Sequence, residues 1–140
     1  MMKPISYIVI IGSGKIGSFM ANKLSHLGHS VTIIDIEEKA FSRLDENFGG
    51  FTIKGDGVDP NTLKKAKLYD ADYLICTSDD DNANLMIAQL ARKYYNTPRV
   101  IAHVFDPKWE DLYHHFEIEI LSSVSTISGL FIQEMFKEDV

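Results

Sequence analysis

The sequence predicts an α/β fold, a doubly wound parallel sheet of six strands in the order 3-2-1-4-5-6 with helices on both faces. Three observations predict it. Short β-rich runs alternate with longer segments of helical periodicity from one end of the 140 residues to the other. The runs are apolar almost without interruption, as strands are when helices cover both sides of a parallel sheet. The first run leads straight into Gly12, Gly14 and Gly17, the strand-to-helix glycine spacing of a Rossmann-like sheet. Right-handed crossovers leave few other topologies for six such units.

Taken in order, YIVII (7–11) is the first strand, and 15–28 is the helix that follows. In that helix Ile16, Phe19, Met20, Leu24 and Leu27 form one apolar stripe expected to pack on the sheet, and Gly28 supplies the stop. SVTII (30–34) is the second strand, followed by a helical segment over 38–49. FTIK (51–54) is the third, and KGDGVDP leads from it to a helix over 60–68, with Asp59 as cap and Pro60 in the first helical position. YLIC (73–76) is the fourth, and one aspartate of TSDDDNAN caps the helix over 82–96. RVIAHV (99–104) and IEIL (118–121) complete the sheet, with helices over 107–116 and 124–136.

Composition narrows the function. With 45% hydrophobic and 24% charged residues, the chain has the size and make-up of one ordinary domain. Fourteen basic against twenty acidic residues give a net charge of -6, which opposes the broad attraction behind nucleic-acid or membrane-surface binding. Cys76 is the single cysteine, so no intrachain disulfide forms. No run of about 18 apolar residues is present and the start does not read as a secretory leader, so a cytoplasmic protein without direct membrane insertion is expected.

The glycine loop carries the chemistry. Gly12 suits the tight turn, Gly14 the approach of a pyrophosphate to the backbone, and Gly17 the closure of helix on strand. Free N–H groups at the helix start then face the phosphate. Asp35 follows the second strand, 18 residues after Gly17, where a carboxylate accepts from both ribose hydroxyls and repels a 2′-phosphate. NAD or an adenine nucleotide is therefore favoured over NADP. Asp35 also suits the alternative role of helix cap ahead of EEKAF. Gly55 and Asp56 leave strand three beside the adenine position, and Thr77 and Ser78 leave strand four within reach of phosphate or ribose, at the edge where such sheets bind ligands.

Catalytic groups are scarce. Cys76 ends a buried strand with no basic neighbour and reads as a small core residue. His26 and His29 flank a helix-ending glycine, and His114 and His115 point to different faces. His103 lies near the ligand edge, where strand alternation decides whether it faces ligand or core. A small NAD-dependent oxidoreductase or epimerase-like enzyme is the rival reading, but no Tyr-x-x-x-Lys pair or substrate domain supports it. A redox-sensing transcription factor would need a DNA-binding segment that the sequence does not display.

Four segments together, VIIGSGKIGSFMANKL, HSVTIIDIEEKAFSRL, the run from FTIKGDGVDP to IAQLARK, and RVIAHVFDPKWEDLY, resemble the KTN/RCK (TrkA-N) nucleotide-binding domain of Trk/Ktr-type potassium-transport regulators. The resemblance covers essentially all of residues 1–140 and implies a single such domain without the C-terminal domain of many relatives. It implies NAD(H), AMP, ADP or ATP as ligand, a homodimer that can extend to a ring, and a membrane potassium transporter or channel as partner, with no catalysis and no nucleic acid. It places the phosphates on Gly12, Ser13, Gly14, Lys15, Ile16 and Gly17, and the ribose on Asp35 with Ile36 and Glu37 beside it. Gly55, Asp56 and Gly57 would border the adenine, and Thr77, Ser78, Asp80 and His103 would line the crevice. Where relatives often carry Arg in strand five, this chain has His103, an imidazole in place of a fixed positive charge, so ATP loses an anchor relative to AMP, ADP or NAD(H). The helices after strand five carry Trp109, Leu112, Tyr113 and Phe116, then Ile127, Leu130, Phe131, Met135 and Phe136, a set that suits core packing on the sheet and equally the dimer contacts that the resemblance places there.

Overall fold

In the computed structural model, which describes residues 4–114 and 116–137, the chain runs β1 (Tyr7–Ile11), α1 (Lys15–His26), β2 (Ser30–Asp35), β3 (Phe51–Lys54), α2 (Pro60–Lys65), β4 (Tyr73–Cys76), α3 (Asp81–Tyr94), β5 (Arg99–Val104), α4 (Lys108–Tyr113), β6 (Glu119–Ser122) and α5 (Ser123–Met135). All strand pairs are parallel, and the order is β3-β2-β1-β4-β5-β6, the expected doubly wound sheet. Register brings the strand ends level. Ile11 sits opposite Ile34 on one side and Cys76 on the other, so Gly12, Asp35 and Thr77 leave the sheet together. Cys76 is in turn opposite Ala102, which puts His103 level with Thr77.

Alternation along the strands feeds two cores. Ile8, Ile10, Val31, Ile33 and Ile75 face Ala21 of α1, while Val9, Ile11, Leu74, Cys76, Val100 and Ala102 face Leu63 of α2 and Ile87, Ala88 and Ala91 of α3. Each fully buried aliphatic side chain is worth about 2–3 kcal/mol, and the central strands are buried on both sides. No helix among the described residues is long and apolar enough to cross a membrane.

Several elements depart from the sequence reading. The helix expected over 38–49 is a 3-10 turn, Glu38–Arg43, followed by irregular chain. Ser42, Asp45, Asn47 and Gly49 are poor helix formers, and Asn22 and Ser25 of α1 accept hydrogen bonds from the Asp45 and Gly49 amides (3.0 and 3.1 Å) and hold that chain in place. Phe41, Leu44 and Phe48 still reach the core on the α1 side. The segment expected as one helix over 60–68 breaks at Lys67, which is left-handed (φ 54°), and continues as a 3-10 turn, Leu68–Asp70. The segment expected as helix over 107–116 is helical only in α4.

The stripe assigned to α1 is also only half right. Met20 and Leu24 pack on the core, but Ile16, Phe19 and Leu27 are exposed. The fully buried positions are Gly17, Ser18 and Ala21, and at Gly17 the end of β1 comes too close for any side chain. At the other end of the chain, α5 begins at a cap in which the Ser122 hydroxyl accepts from the Ser125 amide (3.2 Å), and Glu110 of α4 accepts from both the Ser122 amide and the Ser125 hydroxyl. Beyond that anchor α5 buries none of its residues. Val124, Ile127, Leu130, Phe131, Ile132 and Met135 are all more than half exposed.

A left-handed lysine is held at a cost that a glycine would not incur. Lys67→Gly is expected to raise stability by about 0.5–1 kcal/mol, read as a higher denaturant midpoint with an unchanged slope.

Candidate functional site

Gly12 turns the chain out of β1 at φ +101°, and its amide donates to the Ile34 carbonyl (2.7 Å). A Cβ there would meet the Thr77–Ser78 backbone at 2.7–2.8 Å. Thr77 closes the junction from the other side, its hydroxyl donating to the carbonyls of Ile11 (3.1 Å) and Gly12 (3.2 Å). At Gly17 a Cβ would fall 1.9 Å from the Gly12 carbonyl oxygen. That contact brings the start of α1 over the end of β1. Gly14 differs from both, because a Cβ there would meet nothing within 4 Å. It is the N-cap of α1, with no side-chain cap and no acidic residue in the first turn, so the positive end of the helix is left open to solvent. Lys15 and Ile16 are exposed beside it.

The Asp35 carboxylate accepts from the Ser13 amide (2.7 Å) through one oxygen and from the Glu37 amide (2.8 Å) through the other. It therefore links the glycine loop to the exit of β2 and does not cap the following 3-10 turn, whose cap position is Glu37. Each oxygen keeps a second lone-pair direction for a donor such as a ribose hydroxyl. Ile36 is exposed next to it. The Ser13 hydroxyl donates to the Ala40 carbonyl (3.0 Å), and the Arg43 guanidinium reaches the Ser13 carbonyl (3.4 Å). Arg43 had no signal in the sequence. The 3-10 path of residues 38–43 turns it back onto the glycine loop, and it has no carboxylate partner among the described residues.

At the exit of β3, Gly55 donates its amide to the Asp35 carbonyl (2.9 Å), and Asp56 accepts from the Val58 amide (3.0 Å). Asp59 is the cap of α2, accepting from the Asn61 amide ahead of Pro60 as expected. Gly55 and Gly57 also have packing reasons to lack a side chain, since a Cβ at either would strike Thr62 or Ile87 within 2.8 Å.

The acidic run after β4 is largely engaged by backbone. Asp80 caps α3 through the Ala83 amide (3.2 Å), and Asp81 accepts from the Phe105 and Asp106 amides at 3.0–3.3 Å. Sequence reasoning missed the residue that organises this edge. Asn84 is fully buried, accepts from the Ser78 amide and hydroxyl, and donates to the carbonyls of Ser78 and His103, all within 3.0 Å. A single amide side chain thus ties the ends of β4 and β5 together.

His103 packs its ring edge-on to Phe105 (4.8 Å between centroids), and both ring nitrogens are closed off from solvent without a hydrogen-bond partner among the described residues. Burial holds its pKa below the usual value, opposed by the nearby Asp81. Cys76 is wholly buried, and desolvation pushes its thiol far above the ordinary range, so it is the core residue expected and not a nucleophile. His29 accepts from the Ser6 amide (3.1 Å) and His26 lies 3.8 Å from Asp45. His115 lies outside the described residues, and no cluster of three metal-ligating side chains occurs among them.

Residues 8–124, the span that contains this whole edge, match the family model of the TrkA-N domain. The chain belongs to the TrkA-N family. Among curated relatives, this TrkA-N domain is 35% identical over 118 residues to the Trk system potassium uptake protein TrkA of Streptomyces coelicolor, an alignment that takes in 84% of the chain and 53% of the relative. The chain thus spans about half the length of that relative. Among solved structures it superposes on the TrkA-N domain of the inner membrane protein ybaL from Escherichia coli with a TM-score of 0.82 and 18% identity, covering 97% of this chain and all of that one. The Kef CTD of Shewanella denitrificans in its AMP-bound form gives 0.73 at 22% identity (95% and 83% covered). The GsuK channel bound to NAD gives 0.70 at 20% (86% and 22% covered). At these identities the superpositions establish the shared fold.

Gly17→Ala is expected to cost about 3 kcal/mol or more, because the clash is with backbone that cannot swing away, whereas Gly14→Ala leaves the denaturation midpoint nearly unchanged. The His103 ring gives a pH dependence with a definite sign. The unfolded chain takes up a proton near pH 6.5 where the folded ring stays neutral, so stability is full above that pH. It falls as pH drops below about 6.5, until the folded ring is itself protonated. His103→Leu removes this component, seen as a smaller difference between denaturation midpoints at pH 7.5 and pH 5.5 than in the parent.

Proposed function

We propose that this TrkA-N domain is a cytoplasmic, non-enzymatic regulatory module that binds an adenine nucleotide or NAD(H) and passes the ligand state to a membrane potassium transporter or channel through the geometry of a homodimer. The observation that carries the reading is the uncapped start of α1 at Gly14, with the Asp35 carboxylate fixed on the loop beside it. Phosphate would lie against the amides of Gly14, Lys15 and Ile16, with Lys15 and Arg43 as cations, and ribose against Asp35. Gly12 and Gly17 shape that loop from beneath, and Ser13 hands its amide to Asp35. Glu37, Gly55, Asp56 and Gly57 would flank the base, and Thr77, Ser78, Asp80 and His103 the crevice wall. The names of neighbours that carry AMP or NAD, and of a relative in potassium uptake, support this choice of ligand and partner.

The dimer reading rests on α5. An apolar helix with no buried residue needs a cover, and a second copy offers the same face in return. A ligand shifts such a dimer only by its difference in affinity between two geometries.

Native mass spectrometry of the purified chain tests binding and assembly together. A dimer retaining a nucleotide mass is expected, with the nucleotide lost in Asp35→Ala and weakened in Arg43→Gln. X-ray scattering should then distinguish the AMP-bound from the NAD-bound form. Retention unchanged in Asp35→Ala, or identical scattering for every bound nucleotide, refutes the corresponding half of the reading.

A further inference from the structure

Positive charge in this acidic chain is segregated. Segments 60–69 and 82–99 hold Lys64, Lys65, Lys67, Arg92, Lys93 and Arg99 without a single carboxylate, while the remaining residues carry eight basic against twenty acidic side chains. The fold brings these two segments together. Both α2 and α3 pack on the same side of the sheet, and the rings of Tyr69, just after α2, and Tyr95, just after α3, lie 4.7 Å apart.

Two of the six cations are already engaged, Arg92 with Glu117 and Arg99 with Glu119. Lys64, Lys65, Lys67 and Lys93 are exposed and have no carboxylate partner among the described residues. Asp70 and Asp72 border the face, and two carboxylates against these four lysines leave an excess of positive charge. Tyr69 and Tyr94 stand exposed among the lysines, with the Lys93 ammonium 5.4 Å from the Tyr94 ring centre.

We propose that this α2–α3 face is a docking surface for anionic lipid headgroups. The free charges are all lysines, which act as flexible point charges, while the directional arginines are consumed internally. Such a set suits a fluid array of phosphates better than one fixed peptide, and exposed tyrosines are at home at a membrane interface. The net charge of -6 does not prevent this, because screening confines each charge to about 8–10 Å at ordinary salt, so a lipid surface senses the face it meets. The same net charge makes binding weak and salt-sensitive, and a dimer presenting two such faces would bind by avidity. The inference uses none of the nucleotide-site residues, so it stands or falls apart from that reading.

Sedimentation of the 140-residue chain with vesicles of equal parts phosphatidylglycerol and phosphatidylcholine, against phosphatidylcholine alone, provides the test. Binding to the anionic vesicles only, lost on raising salt, is expected. The quadruple variant K64Q/K65Q/K67Q/K93Q should reduce partitioning by a hundredfold or more, at roughly fivefold per lysine. The pair K64Q/K65Q alone should reduce it about 25-fold. The variant K23Q/K39Q/K54Q/K108Q changes net charge equally on other faces and should retain most of the binding. Thermal unfolding of each variant checks that the fold is intact. Equal loss in the two quadruple variants, absence of parental binding to anionic vesicles, or capture by immobilised polyglutamate with vesicles ignored would each overturn the proposal, the last in favour of an acidic protein segment.

Discussion

The close approach of α1 to β1 is the contact on which the rest of the sheet's carboxyl edge depends. With 1.9 Å between the Gly12 carbonyl oxygen and the place a Cβ would occupy at residue 17, only glycine lets the helix lie down at that point. Because it does, the unpaired amides of the first helical turn arrive in front of the level ends of β1, β2 and β4. Asp35 can then reach the Ser13 amide, and Thr77 can reach the Gly12 carbonyl. The same closeness sets which side of α1 faces the sheet. Small residues take that side, and Ile16, Phe19 and Leu27, apolar as they are, turn outward.

The opposite half of the edge is stabilised by side chains that satisfy backbone. Asn84 serves four polar groups from a fully buried position, and Asp81 serves two amides beyond β5. A run of three aspartates at one strand exit looks self-repelling in one dimension. In three dimensions Asp80 and Asp81 are turned onto amides, and charge-assisted hydrogen bonds of this kind offset part of their repulsion. His103 is the exception on this edge. Its ring nitrogens are buried without a hydrogen-bond partner among the described residues, an arrangement that costs stability and links the fold to pH.

The periodicity of residues 7–11, 30–34, 51–54, 73–76 and 99–104 was legible because a β-branched run between turn formers has few competing conformations, and the strands coincide with it to within a residue. The sixth strand is shifted by one residue. The segment after β2 departs from expectation because apolar spacing is shared by α and 3-10 paths and contacts from Asn22 and Ser25 select between them, while the helix after β3 forms over Pro60–Lys65 and stops short of residue 68. At the candidate site, the tight turn at Gly12 and the close packing at Gly17 were legible from spacing. Arg43 and Asn84 were not, since each acts on residues a long way off in sequence or through a single amide that no pattern marks.

By itself the sequence determined the fold class, the strand order and the glycine loop, because these follow from local propensity, handed crossovers and the absence of a side chain at defined positions. Net charge was equally readable, but only as a sum. The tertiary structure decided where that charge lies, placing on the α2–α3 side four lysines that have no carboxylate partner among the described residues while the remainder of the chain is acidic. It also decided that α5 buries none of its own residues, and that Arg43 points at the glycine loop. Each of these is a relation between residues distant in sequence, set by how helices pack on a twisted sheet, and one-dimensional order carries no term for it.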